Sequence, residues 1–198
     1  MIGGLKEALA QGVQSAIQTL GKQDGFLSND LVKIPIPKSL QTIEKTMRRL
    51  GQGHVADNFI ESMNHAAEAA VPAAATVFSD AVKSMSISDA KSILQGGDNA
   101  ATEYFRQRSE EDLRARFTPI VKQATDQVGV TSKYKALTGN LGMMSGLVDT
   151  SGLDVDNYVT EKALDGLFQM IAIEEKKIRD NPVARTTDLL KKVFGMSP

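Results

Sequence analysis

The chain has 198 residues, of which 24 are acidic and 23 are basic, and its formal net charge is −1. Because the two signs are mixed along the sequence, there is no basic field to hold nucleic acid, and we expect no nucleic-acid partner. The chain has no cysteine, which excludes disulfides, thiolate metal sites and a cysteine nucleophile.

The composition favours a single all-helical domain over residues 1–198. Alanine, leucine, lysine, glutamate and glutamine are plentiful, whereas alternating β-rich runs are few. A chain of this length can bury most of its apolar surface in one core. No run approaches about 18 apolar residues, so we predict no transmembrane helix. The chain begins at Met1 directly before an amphipathic segment, without a charged n-region and an apolar h-region, so we expect no export signal in this sequence.

The first elements are a helix and a connector. Apolar residues recur at spacings of three and four over 4–20, and Gly21 follows as a helix C-terminus. Residues 22–38 contain Pro35 and Pro37 and show no helical period, which predicts an ordered extended connector. Its apolar side chains, which we expect to plug the core, are Phe26, Leu27, Val32, Ile34 and Ile36.

A second helix is predicted over about 40–50. Ser39 is its predicted N-cap, and Gly51 ends it. The residues that should face the core are Leu40, Ile43, Met47 and Leu50.

Helical phase then continues over about 54–85. The middle of this element combines many alanines with Pro72. Small side chains allow another helix to approach closely, and a proline removes one helical hydrogen bond. We therefore predict helices over 54–71 and 72–85 that meet at an angle near Pro72.

Three cap signals divide the next stretch. Ser86 and Ser88, followed by Asp89, predict the start of a short helix that ends at Gln95. Asp98 is the predicted cap of another helix. Ser109, with an aspartate three residues later, predicts a separate helix that runs to Gly129.

The C-terminal part contains a segment rich in Gly and Met, 139–152, and a long helix, 157–180. Short helices are predicted from Thr131 and after Pro182. The apolar residues of 157–180 spread over an arc of roughly 220°, so this helix needs neighbours on most of its sides. The predicted fold is an all-α, single-domain bundle of about nine helices around two long helices, about 54–85 and 157–180.

Three blocks of sequence resemble a known family: NDLVKIPIPKSL at 29–40, LGQGHVADNFIESMNHAAEAAVP at 50–72, and YVTEKALDGLFQMIAIEEKKIRDNPVARTTDLLKKVFG at 158–195. Together they resemble the bacterial proteins of domain-of-unknown-function family 4197, over essentially the whole chain. The resemblance implies an all-helical protein of the periplasm or cell envelope. It further implies an export signal, often with a lipid anchor, on an N-terminal region that this sequence lacks. It supplies no activity and no catalytic residues.

The sequence contains no recognisable catalytic or metal-binding motif, so we predict no catalytic residue, metal or cofactor. His54 and His65, the two histidines, are eleven residues apart on one predicted helix, about 16 Å, and cannot share a metal. Asp149, Asp154 and Asp156 lack the spacing of a calcium loop and are better explained as helix caps.

Four arginines surround Ser109 and form a candidate anion site: Arg106, Arg108, Arg114 and Arg116. Guanidinium groups bind a carboxylate or phosphate in bidentate fashion. The alternative is solvated charge, since the neighbouring acids Glu110, Glu111 and Asp112 neutralise the cluster locally.

The leading functional hypothesis is a non-enzymatic cell-envelope protein that binds an apolar ligand or a partner helix between its long helices. The alternatives are a structural scaffold without a small-molecule ligand and an unrecognised enzyme. Residues 139–152 are predicted either to cover an apolar groove or to be a simple connector. The candidate ligand-binding residues are Ala70, Ala74, Phe78, Met143, Met144, Leu147 and Phe168.

Overall fold

The computed structural model describes residues 2–127, 129, 133 and 154–180. None of these residues forms a strand, which confirms the all-α class. None of the described helices combines the length and apolar character that crossing a membrane requires. The helices are α1 (Ile2–Leu20), α2 (Gln41–Arg49), α3 (Gly53–Ala70), α4 (Ala74–Ser84), α5 (Ile87–Gln95), α6 (Ala100–Gln127) and α7 (Val155–Asp180).

The predicted count of about nine helices and the predicted arrangement around two long helices, about 54–85 and 157–180, are not confirmed. The helix predicted after Pro182 lies outside the described residues, and so does the helix predicted from Thr131 apart from Lys133. The longest described helices are α6, with 28 residues, and α7, with 26. The predicted element at 54–85 is divided at Pro72 into α3 and α4, because the proline lies in a 3-10 helix, Val71–Ala73, between them.

Helix α7 packs against α1, α3 and α6. Its side chains Leu164, Leu167 and Phe168 are buried, whereas Asp165 and Gln169 are exposed. This distribution of buried and exposed residues agrees with the prediction that the helix is covered by neighbours on most of its sides.

The connector between α1 and α2 is buried at Phe26, Ile34 and Ile36, as predicted. It is less extended than predicted, because residues 23–28 and 30–32 form turns. The turn at Asp24 has a φ of 59°, in the left-handed region that Asp tolerates better than most residues.

Two predictions about α2 are wrong. Ser39 is not its N-cap: a 3-10 helix, Lys38–Leu40, leads directly into α2, and no side chain caps the junction. Leu50 is 67% exposed, because it follows the last residue of α2, where the helical period no longer sets its direction. Gly51 ends the element with a φ of 74°, as predicted.

The capping box predicted at Ser109 is also wrong. Ser109 lies inside α6 and is 1% exposed, and its hydroxyl has no hydrogen-bond partner among the described residues. Phe105, Ser109, Leu113 and Phe117 follow one another at spacings of four, and all are buried. This continuous stripe keeps the helix intact, because a local cap signal is worth less than the apolar burial on both sides of it.

The N-terminus of α6 is capped by Glu175 of α7 and not by a residue near it in sequence. The two carboxylate oxygens of Glu175 accept hydrogen bonds from the backbone N–H groups of Ala101 and Thr102, at 2.9 and 2.8 Å. The Thr102 hydroxyl donates to the same carboxylate at 2.8 Å. Glu175 is 4% exposed, and its negative charge lies at the positive end of the α6 dipole.

Arg179 completes this cap. Its guanidinium donates to Oε1 of Glu175 at 2.8 and 3.1 Å and to the carbonyl of Ile93 at 2.9 Å. One carboxylate and one guanidinium therefore join α7, the start of α6 and the end of α5. The pair has the i, i+4 spacing that the sequence shows, but its partners on α5 and α6 give it a tertiary role.

We expect Glu175→Gln to lower the free energy of unfolding by about 3 kcal/mol, because the amide cannot accept all of these hydrogen bonds and leaves Arg179 without its charge partner. Glu174→Gln is the matched control, since Glu174 pairs with Lys177 on a more exposed side of α7, and it should cost about 0–1 kcal/mol. Urea denaturation followed by circular dichroism measures both. Equal losses would contradict the cap.

Helix α5 begins near the two predicted serines, and Ser86 is its N-cap, in a capping box with Asp89. The Ser86 hydroxyl accepts from the Asp89 N–H at 3.1 Å, and the Ser86 N–H donates to Asp89 Oδ2 at 2.9 Å. Hydrogen bonds from the Ser86 backbone and hydroxyl lower the pKa of Asp89. Because this pKa is lower in the folded chain, the stabilisation is present above the ordinary carboxyl pKa, about 3.9, and is lost as the pH falls through the lowered value.

Ser86→Ala should raise the pKa of Asp89 part of the way to its ordinary value, because the hydroxyl is removed and the backbone donor remains. Loss of the N-cap should cost about 1 kcal/mol. An NMR titration of the Asp89 carboxyl and thermal unfolding at neutral pH measure the two effects. Ser88→Ala, at an exposed position of the same helix, should leave this pKa unchanged.

Candidate functional site

An apolar groove lies between α1 and α4. Its volume is about 420 Å³. Val13 and Ile17 of α1 and Phe78 and Val82 of α4 provide its apolar surface. We call it the α1–α4 groove.

Polar groups are confined to the edge of the α1–α4 groove. Gln14, Ser79 and Lys83 contribute to the lining, and each is exposed. The Lys6 ammonium donates to the carbonyl of Lys83 at 3.0 Å, so a second cation lies beside this edge. The groove therefore has an apolar floor and a cationic end.

A second groove lies between the connector, α6 and α7, and we call it the connector groove. Its volume is about 600 Å³. Its apolar lining residues include the exposed Leu31 and Pro35 and the buried Val32 and Phe168. Its charged lining residues are Lys33, Glu103, Arg106, Lys162 and Asp165.

Arg106 is the best-positioned cation of the connector groove. The carbon at the centre of its guanidinium lies 4.4 Å from the centroid of the Phe168 ring, which is a cation–π contact. Its Nη1 lies 3.7 Å from Glu110 and 3.8 Å from Asp165. Lys162 lies 3.8 Å from the same Asp165 carboxylate.

Asn64 of α3 holds in place the part of the connector that forms one wall of this groove. Its Oδ1 accepts from the Ile34 N–H at 2.8 Å, and its Nδ2 donates to the Ile34 carbonyl at 3.0 Å. The same Nδ2 donates to the Ile60 carbonyl at 2.8 Å. The amide thus pairs with both backbone groups of Ile34, as a neighbouring strand would.

Glu68, one turn further along α3, binds the start of the connector. Its carboxylate accepts from the backbone N–H groups of Asp24, Phe26 and Leu27, at 3.1, 3.0 and 3.2 Å. Glu68 is 5% exposed. His65 Nε2 lies 3.1 Å from Asp24 Oδ1, and this contact closes the turn over the glutamate.

Sequence reasoning missed Asn64, Glu68 and Glu175 as anchors. The available signal was a polar residue on an apolar helical stripe: Glu175 stands at spacings of four and three from Ile171 and Ile178. A charged or amide group on such a face requires a buried partner. The identity of that partner is not readable from local spacing.

The residues predicted to bind an apolar ligand are mostly core residues where the structure describes them. Ala70 and Ala74 are fully buried. Phe78 and Phe168 form an edge-to-face pair with ring centroids 6.0 Å apart. Phe78 also lines the α1–α4 groove and Phe168 the connector groove. Met143, Met144 and Leu147, together with the rest of 139–152, lie outside the described residues.

Three of the four predicted anion-binding arginines, Arg106, Arg108 and Arg114, line one cleft of about 480 Å³ on α6. Three acids of the same helix also line this cleft: Glu110, Glu111 and Asp112. Arg106 and Arg114 lie on either side of Glu110 and reach acids of α7, Asp165 and Glu161 respectively. Arg108 and Arg116 are exposed. Among the four, Arg106 lines the connector groove.

The acids flanking α7 have structural partners. Asp154 Oδ1 accepts from the Asn157 N–H at 2.9 Å, as an N-cap does. Asp156 Oδ1 accepts from the Thr125 hydroxyl at 2.6 Å. Within the described parts of the chain, no three His, Asp or Glu side chains are grouped to hold a metal ion.

Comparison with protein families gives one informative finding. The family model described as "Protein of unknown function (DUF4197)" matches residues 1–195. Both grooves and their anchors lie within the matched range. No curated protein and no solved structure matches at a significant level.

The Asn64 anchor is testable with Asn64→Leu, which keeps the approximate shape and removes both hydrogen-bonding groups. The N–H and C=O of Ile34 then lose their partners, so we expect a loss of about 2–4 kcal/mol in unfolding free energy. The Ile34 amide should also exchange faster with solvent in hydrogen-exchange NMR. Asn58→Leu, at an exposed position of α3, is the control and should change stability by about 0.5 kcal/mol or less. Unchanged exchange at Ile34 would contradict the anchoring role.

Proposed function

Because the chain belongs to the DUF4197 family, whose function is unknown, we propose a function from the site itself: a non-catalytic protein that binds an apolar small molecule with a single acyl chain. The proposed site is the α1–α4 groove. The observation that carries the proposal is its floor of Val13, Ile17, Phe78 and Val82.

The size of the groove supports a small ligand. Its volume of about 420 Å³ falls within the range of about 300–1,000 Å³ that is usual for ligand clefts. Each methylene group that leaves water gains about 0.8 kcal/mol, so a chain of moderate length can bind without a strong polar contact. The groove needs to contribute only shape and apolar surface.

The edge of the groove supports an anionic head group. Lys83 has a side chain that is 76% exposed, and its weak pairing with Asp80 spans 3.9 Å. Lys6 lies beside it through the bond to the Lys83 carbonyl. A carboxylate at the end of an acyl chain would therefore meet two ammonium groups while remaining in water.

The chemistry of the lining supports binding over catalysis. The polar residues among its described lining are Gln14, Ser79 and Lys83. A serine nucleophile needs an adjacent base that is itself oriented by a third group. Among the described residues, no histidine or carboxylate belongs to the lining of this groove.

The proposed location rests on the sequence. We place the protein in the cell envelope because its sequence blocks resemble exported family members. A scaffold without a ligand is the competing function.

Ala75→Phe should block the α1–α4 groove. Ala75 lines the groove and is exposed, so a larger side chain can fill the space without entering the core. We expect saturable binding of dodecanoate to the natural chain in isothermal titration calorimetry. The affinity of Ala75→Phe should be at least tenfold lower, about 1.4 kcal/mol.

The matched control is Ala115→Phe, at an exposed position of α6. It should bind dodecanoate as the natural chain does. Absence of saturable binding, or equal affinities for the two variants, would overturn the proposal. If an amphipathic peptide binds and dodecanoate does not, the occupant is a partner helix.

A further inference from the structure

We propose that the connector groove is a second binding site, for a small organic carboxylate with an apolar body, and that Arg106 is its anchoring cation. This site is separate from the α1–α4 groove and does not depend on the function proposed there. Three observations support the proposal: the net charge of the lining, the lack of hydrogen bonds from the Arg106 guanidinium within the described residues, and the apolar residues that line the groove.

The charge of the lining suits a monoanion. Among the lining residues, Lys33, Arg106 and Lys162 outnumber Glu103 and Asp165 by one positive charge. Glu110, which is not part of this lining, also lies 3.7 Å from Arg106. A carboxylate neutralises this excess. A phosphate dianion would add charge that the two acids repel.

Arg106 is held in position with its donors unused. The contact with Phe168 orients the guanidinium plane. Its two ion pairs, at 3.7 and 3.8 Å, are too long to be hydrogen bonds. Within the described residues it makes no hydrogen bond, in contrast to Arg179, whose guanidinium bonds to Glu175 and Ile93.

Asp165 shows that a carboxylate fits between the cations of the groove. It lies 3.8 Å from both Arg106 and Lys162, and its side chain is 57% exposed. Ion pairs this exposed are weak. A ligand carboxylate that binds Arg106 in bidentate fashion can therefore replace Asp165 without disturbing the core.

The body of the ligand has apolar surface to contact. Leu31, which is 60% exposed, and the exposed Pro35 line the groove, and the connector that carries them is fixed by Asn64 and Glu68. The cleft is therefore formed before the ligand arrives. A rigid apolar acid gains the most from such a site, because little conformational entropy is lost.

Benzoate, benzamide and inorganic phosphate are the probes that test this site, each followed by NMR titration of the labelled full chain. We expect saturable shifts with benzoate that weaken as salt is added. Benzamide, the neutral isostere, and phosphate should bind at least tenfold more weakly. Equal binding of benzamide would overturn the ionic anchor, and equal binding of phosphate would overturn the carboxylate class.

Two variants with opposite expected effects separate binding from folding. Arg106→Gln should weaken benzoate binding at least tenfold, whereas Asp165→Asn should strengthen it about threefold because the competing carboxylate is removed. Arg116→Gln changes the net charge equally at an exposed position of α6 and should have no effect. If Arg106→Gln binds as the natural chain does, or if Asp165→Asn binds no more tightly, the proposal fails.

Dodecanoate binding distinguishes this site from the α1–α4 groove. Arg106→Gln should leave the dodecanoate affinity unchanged, and Ala75→Phe should leave the benzoate affinity unchanged. Loss of both affinities in either variant would overturn the assignment of two separate sites.

Discussion

Side chains that bind backbone groups hold the irregular parts of this chain against its helices. A buried N–H or C=O without a partner is costly, and the connector has no neighbouring strand among the described residues to satisfy its own. Asn64 and Glu68 supply the missing partners from α3, and Glu175 does the same for the first turn of α6. The positions of the connector and of α6, and hence the shape of the connector groove, depend on these three side chains.

The sequence predicted the helices well where the evidence is local and periodic. The apolar spacing of α1 and α7 and the helix start predicted from Ser86 and Ser88 correspond to what the structure shows. Prediction failed at Ser109, where a local cap signal competed with a buried stripe that only the packed fold reveals. For the candidate sites, Phe78 and Arg106 were among the residues singled out. The groove walls were not predictable, since their anchors join residues 30 to 74 positions apart.

The two grooves are adjacent through an aromatic contact. Phe78 lines the α1–α4 groove, and its ring meets that of Phe168 at 6.0 Å. Phe168 lines the connector groove, and the Arg106 guanidinium lies over its ring. A second edge-to-face contact joins Phe78 to Phe105 at 5.4 Å. The buried rings thus form a common wall, close-packed on both sides.

The anchoring by Glu68 has a consequence for how the connector can evolve. The glutamate recognises peptide N–H groups, which every residue except proline carries. At Leu27, which is only half-buried, nearly any side chain leaves the recognised group in place. The connector sequence can therefore change at such positions while the backbone keeps its conformation. A proline at one of them would remove an N–H donor. Because Glu68 binds main-chain groups, the conformation of this loop depends little on the identity of most of its side chains.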